Sequence, residues 1–240
     1  MAPTFPRVLV IAAHPDDIEF GAAGTIACWT DEGAVVTFCI VTDGAAGSNE
    51  PGVDLKALSL TRQDEQRAAA AVLGVQDVIF LGYPDGTLQP TLELRRDLTR
   101  LIRQIRPDCV MIQDPTVFFA GDFYINHPDH RAAGEAALYA VFPSAGTRPI
   151  FPELLAEGYE PFDVPELWLM FANQAEKVVE ISAALDRKVE ALLCHKSQVG
   201  PEVGEMIREW ARDDGKAHGY AAAESFRVMR LKRDPATDGS

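Results

Sequence analysis

The feature that most constrains this chain is an alternation, in which short β-branched runs take turns with Ala- and Leu-rich segments of helical length. Val8-Leu9-Val10-Ile11 reads as a buried strand, and Ile18 to Thr30 as a helix that Gly33 ends. Ala34 to Thr42 gives a second buried strand, followed by a loop from Asp43 to Asn49. Leu60 to Leu73 is helical, Asp77 to Leu81 is a third strand, and Tyr83-Pro84-Asp85-Gly86 is a turn. Leu92 to Ile105 and Asp108 to Gln113 repeat the helix and strand. Strands separated by helices pair through crossover connections, so the pattern predicts an α/β fold with a mostly parallel sheet flanked by helices. At 240 residues one domain is the simplest division: residues 1–231 as the folded unit and 232–240 as a flexible tail.

Past the fourth strand the pattern loosens. An aromatic loop, Phe118 to Asn126, leads to a helix read over Ala132 to Val141. The segment Pro143 to Pro165, with further prolines at 149, 152 and 161, is expected to be a long loop over the active-site side. Trp168 to Phe171 and Lys177 to Ile181 read as late strands, and Ala183 to Cys194 and Val203 to Asp213 as helices.

A formal net charge of −14 repels phosphate backbones, which argues against nucleic-acid and anionic-membrane partners. The apolar run Val8 to Ala13 is too short for a signal sequence or a membrane span. Cys28, Cys39, Cys109 and Cys194 show no C-x-x-C pair and no disulfide spacing, so they read as free thiols of a cytoplasmic protein. A homo-oligomer is compatible with the sequence.

Two short motifs carry the chemistry. Ala13-His14-Pro15-Asp16-Asp17 falls where the first strand gives way to the first helix. Proline suits a first helical turn, which predicts His14 at the cap with Asp17 one turn on, both aimed at one point. His127-Pro128-Asp129-His130 repeats the device with His in the last place. Two such turns at strand ends can meet beyond the carboxyl ends of an open sheet, where ligand crevices form. Their imidazoles and carboxylates are donors zinc accepts, and a catalytic zinc takes three protein ligands while keeping one position for water. His14, Asp17 and His130 are assigned as the metal ligands, leaving Asp16, His127 and Asp129 for proton and charge work. Spacing alone does not decide which histidine of the second motif binds metal.

The run Val8 to Asp17, Thr42-Asp43-Gly44, His127-Pro128-Asp129-His130 and the late His195-Lys196-Ser197-Gln198 together resemble the PIG-L/LmbE-like family of zinc-dependent deacetylases over nearly the whole chain. The resemblance implies a Rossmann-like fold, one zinc on His14, Asp17 and His130, and Asp16 as general base. It also implies that His127, oriented by Asp129, stabilises charge or donates a proton. Arg62 and Asp85 match positions where the family contacts substrate, and both are expected in loops on the sheet edge that carries the metal motifs. The substrate implied is a small N-acetylated amino sugar of the N-acetylglucosamine type. Glu19 is expected on the helix surface or supporting the cap, and His195 at the end of a helix.

Two other readings compete with this one. A zinc amidase could act on a different N-acyl compound, such as a thiol conjugate. A non-catalytic Rossmann-like nucleotide-binding module is the alternative from another class, although no G-x-G-x-x-G follows the first strand.

Overall fold

The computed structural model describes residues 4–231, so the tail expected at 232–240 lies outside the described residues. Seven strands form one sheet in the order β3-β2-β1-β4-β7-β9-β8. They are β1 (Arg7–Ala12), β2 (Val35–Thr42), β3 (Asp77–Tyr83), β4 (Cys109–Gln113), β7 (Glu166–Met170), β8 (Lys177–Glu180) and β9 (Ala223–Arg230). The first five are parallel, and β9 and β8 complete the edge antiparallel. The expected single-domain α/β fold with a mostly parallel sheet is observed.

Alternation along β1 shows why the sheet is covered twice. Val8, Val10 and Ala12 face a core shared with α1 (Asp17–Asp31) and α2 (Leu55–Val72), while Leu9, Ile11 and Ala13 face one shared with α3 (Leu92–Ile105) and α4 (Pro128–Tyr139). A strand buried on both sides reads as a continuous apolar run, as this one does. Later helices α5 (Glu153–Ala156), α6 (Leu185–Leu192) and α7 (Val203–Lys216) complete the chain, and Ala191 of α6 joins the first core.

Strand order fixes where a site can form. From β1 the chain winds outward through β2 to β3, and from β4 it winds the other way to β7, so the carboxyl ends of β1 and β4 flank a topological switch point. The segment holding His14 leaves β1 there, and the one leading to His127 leaves β4. Gly134 lets α4 lie close to β4, since a Cβ at that position would clash with the Gln113 carbonyl.

Several local expectations are corrected. Helix α2 starts at Leu55, because Asp54 caps it by accepting from the Lys56 and Ala57 N–H groups. Helix α4 starts at Pro128 with His127 as its cap. The aromatic loop contains a hairpin, β5 (Phe119–Ala120) with β6 (Tyr124–Ile125), whose strands are too short to show a period. Strand β9 was not expected at all. The proline-rich segment does not cover the site. It returns from α4 to the start of β7, and Arg103 of α3 holds it by donating to the carbonyls of Ser144, Ala145, Thr147 and Ile150. A parallel connection must end at the amino edge of the sheet, opposite the crevice. Among the described residues no helix is long and apolar enough to cross a membrane.

Candidate metal centre

The two motifs converge, but by different local devices. In the first, the helix cap is Asp16 rather than His14, with Asp16 at φ 95° in a left-handed conformation unusual for a residue with a side chain. The His14 N–H donates to Asp17 Oδ2 at 2.7 Å, which closes the turn. In the second, His127 is the cap, Pro128 takes the first helical position, and His127 Nδ1 accepts from the Asp129 N–H at 3.2 Å. The three imidazoles come together, with ring centroids 4.7 Å apart for His14 and His127 and 5.2 Å apart for His14 and His130.

Asp17 bridges the motifs. Its Oδ2 lies 3.4 Å from His14 Nδ1 and its Oδ1 lies 3.0 Å from His130 Nε2. Each of these imidazoles is also held from behind. His14 Nε2 lies 3.0 Å from Asp85 Oδ1 and 3.3 Å from Asp129 Oδ2, while His130 Nδ1 lies 3.1 Å from Asn126 Oδ1. Metal-binding histidines need such partners on the far nitrogen, because they fix the tautomer and the ring plane. Two sets of donor atoms lie within 4.8 Å of one another, His14 with His127 and His130, and His14 with Asp85 and Asp129. Asp17 belongs to neither set but contacts two of their members. These nitrogen and oxygen donors fit a divalent cation such as zinc.

The electrostatics point the same way. Burial disfavours a charged His14, yet Asp129, Asp17 and Asp85 outweigh it and push the imidazole pKa up to about 12. Carboxylates thus flank the His14 ring on both nitrogens, Asp17 at Nδ1 and Asp85 and Asp129 at Nε2. Burial likewise opposes ionisation of Asp17, but His130 and His14 keep its carboxyl well below the usual range. Asp16 differs: burial and then the Asp17 charge raise its pKa to about 7, with Arg62 opposing. Burial and the neighbouring His14 charge lower the His127 pKa, leaving that ring neutral near pH 7.

The remaining candidates occupy definite places. Arg62 lies within α2, not in a loop, and is buried. Its guanidinium donates to the carbonyls of Gly44 and Pro15 and to Asp16 Oδ2, so it braces the first motif. Asp85 faces His14 and accepts from the Ala46 N–H, and burial of its carboxyl is outweighed by His14, which lowers its pKa. The Asp129 carboxylate accepts from the Gly86 and Leu88 N–H groups and reaches His14, whereas only its backbone touches His127. Glu19 is fully buried, which rules out the surface role and leaves the cap-supporting one, with Oε2 3.3 Å from the equally buried His195. Asn126 and Gln66 were not anticipated, since neither belongs to a spaced motif.

An open α/β sheet with this donor cluster at its switch point, and a carboxyl group poised near neutrality beside it, defines a metal-binding hydrolase. The chain belongs to the PIG-L family, described as GlcNAc-PI de-N-acetylase, which matches residues 9–141, and it is a deacetylase. It is 33% identical over 227 residues to the diacetylchitobiose deacetylase of Thermococcus kodakarensis, covering 93% of this chain and 83% of that one. A probable N-acetyl-alpha-D-glucosaminyl L-malate deacetylase 2 of Bacillus anthracis is 31% identical over 222 residues, covering 87% and 88%. The structure of N,N'-diacetylchitobiose deacetylase from Pyrococcus horikoshii, complexed with an inhibitor, superposes with a TM-score of 0.87 at 30% identity, covering 98% of this chain and 89% of the other.

Proposed function

We propose that this deacetylase removes the acetyl group from an N-acetylglucosamine-type amino sugar, using one zinc held by His14, Asp17 and His130. The observation that carries the reading is the Asp17 carboxylate bridging His14 and His130, each imidazole braced on its far nitrogen, with Asp16 adjoining. Relatives named for deacetylation of diacetylchitobiose and of N-acetylglucosaminyl malate support the substrate class. The free state of all four cysteines supports a cytoplasmic setting.

The chemistry zinc supplies when bound is Lewis acidity and a water of lowered pKa. Asp16, its basicity raised by burial and by the Asp17 charge, accepts a proton as an attacking water loses it. His127 donates. Its Nδ1 accepts a backbone N–H, so the neutral ring carries its proton on Nε2 and offers that N–H to the developing oxyanion. Asp85 and Asp129 keep His14 oriented, and Arg62 fixes the Asp16 carboxylate while leaving its second oxygen free of that contact. Protonation of the departing amine, by Asp16 or His127, completes the reaction, since an amine anion is a very poor leaving group.

The test is acetate release from a panel holding N-acetylglucosamine, diacetylchitobiose, an N-acetylglucosaminyl malate and an N-acyl thiol conjugate. Acetate from the sugars with the thiol conjugate inert is expected. Hydrolysis of the conjugate alone would move the enzyme to a different N-acyl class.

A further inference from the structure

Asp16 holds an unusual backbone conformation and its own side chain makes no capping bond; the His14 N–H to Asp17 bond closes the turn from within, and a further constraint acts from outside it. The constraint comes from α2. Gln66 is fully buried, and its Oε1 accepts from the Asp16 N–H at 3.0 Å while its Nε2 donates to Glu19 Oε1 at 2.8 Å. Carboxylate oxygens of Glu19 accept, so they dictate which end of the Gln66 amide faces them and thereby turn the amide oxygen toward Asp16. The other Glu19 oxygen lies 3.3 Å from His195 Nε2, a buried charge contact outside hydrogen-bond geometry. None of these three residues is among the clustered metal donors.

We propose that Gln66 is a positioning residue for the catalytic base, with Glu19 and His195 orienting its amide, so that a buried polar chain running His195, Glu19, Gln66, Asp16 sets the geometry of proton transfer. The inference rests on Asp16 being the base. A left-handed turn with a side chain is strained and persists only where its surroundings hold it. Gln66 is the side chain that accepts from the N–H of the residue in that conformation, and Arg62, one helical turn earlier on the same face, binds the carbonyl just before it. The late His195-Lys196-Ser197-Gln198 segment also gains a role, because Glu65 of α2 pins it by accepting from the Ser197 N–H and Oγ–H. Helix α2 thus joins that segment to the first metal motif without supplying a ligand.

The test compares Gln66→Met, which keeps the volume and removes both hydrogen bonds, with Asp16→Asn and with the double variant. Zinc-loaded Gln66→Met is expected to lose about 10- to 100-fold in kcat, the scale of a misplaced catalytic group, with KM and zinc content within about twofold of the parent. The Asp16 amide should exchange with solvent faster. Because Gln66 acts through Asp16, the double variant should be no slower than Asp16→Asn alone. Glu19→Gln, which frees the Gln66 amide to turn over, should shift kcat and Asp16 exchange in the same direction, and serves if Gln66→Met does not fold. A double variant slowed by the product of the single effects would overturn the proposal, as would loss of zinc in Gln66→Met or an Asp16 amide that stays protected. Normal turnover by Asp16→Asn would remove the base assignment by itself, and amide exchange in Gln66→Met would still decide whether Gln66 sets the turn.

Discussion

Replacing Asp16 by Asn should make the metal-free protein more stable while removing its activity, and the size of the gain follows from the site. A pKa of about 7 against an ordinary 3.8 means that the folded state disfavours the charged carboxylate by about 4 kcal/mol. The causes are burial first and the adjacent Asp17 charge second. Since the folded pKa is raised, the parent takes up a proton on folding between pH 4 and 7 and loses stability across that window as pH rises. Asparagine does not titrate, and it tolerates the left-handed conformation that Asp16 occupies. The Arg62 attraction is already counted in that net shift, and relaxation around the buried carboxylate reduces the gain, so about 1–3 kcal/mol is expected at pH 8. Urea unfolding of the chelated proteins at pH 5 and pH 8 measures this directly. The stability gap should open as pH rises, and the zinc-loaded variant should lose about 10²- to 10⁴-fold in turnover with its metal retained. A gap that is constant with pH, or an Asn variant weaker than the parent at pH 8, would refute the reasoning.

Zinc binding at pH 7.5 should release about one proton from His14, whereas an ordinary imidazole would release about 0.1; calorimetry in buffers of different ionisation enthalpy counts it. His130→Ala should lose zinc, and His127→Ala should keep zinc but turn over more slowly, as metal analysis beside rate measurements would show; metal lost from His127→Ala alone would exchange the two roles. Asp129→Ala should weaken zinc affinity by about 10- to 100-fold, since its carboxylate braces His14 rather than His127; unchanged affinity in a competition titration counts against that.

Much of this was legible in the chain because buried parallel strands leave unbroken apolar runs: β1, β2, β3 and β4 and the helices between them fall close to where the pattern puts them. The motif residues also meet, because strand ends at a switch point leave few other places for them. What stayed hidden has physical causes. Strand β9 is half-buried and carries Glu224, a charge paired with Lys188, so it lacks the expected apolar run. Gln66 acts through two hydrogen bonds to residues 50 and 47 positions away, and Asn126 through one to His130, and no spaced motif records either. Glu19 reads equally as a surface or a cap-supporting acid, and its burial shows only when His195 arrives from the far end of the chain beside it. Asp129 looks like a partner for its neighbour His127, yet the α4 backbone aims its carboxylate at His14 instead.

The most direct test of the account is a zinc titration of the chelated protein, read as acetate released from diacetylchitobiose. Activity should be absent without metal, rise linearly and saturate at one zinc per chain, while the His14→Ala variant stays inactive throughout. Full acetate release by the chelated protein, or by His14→Ala, would contradict it.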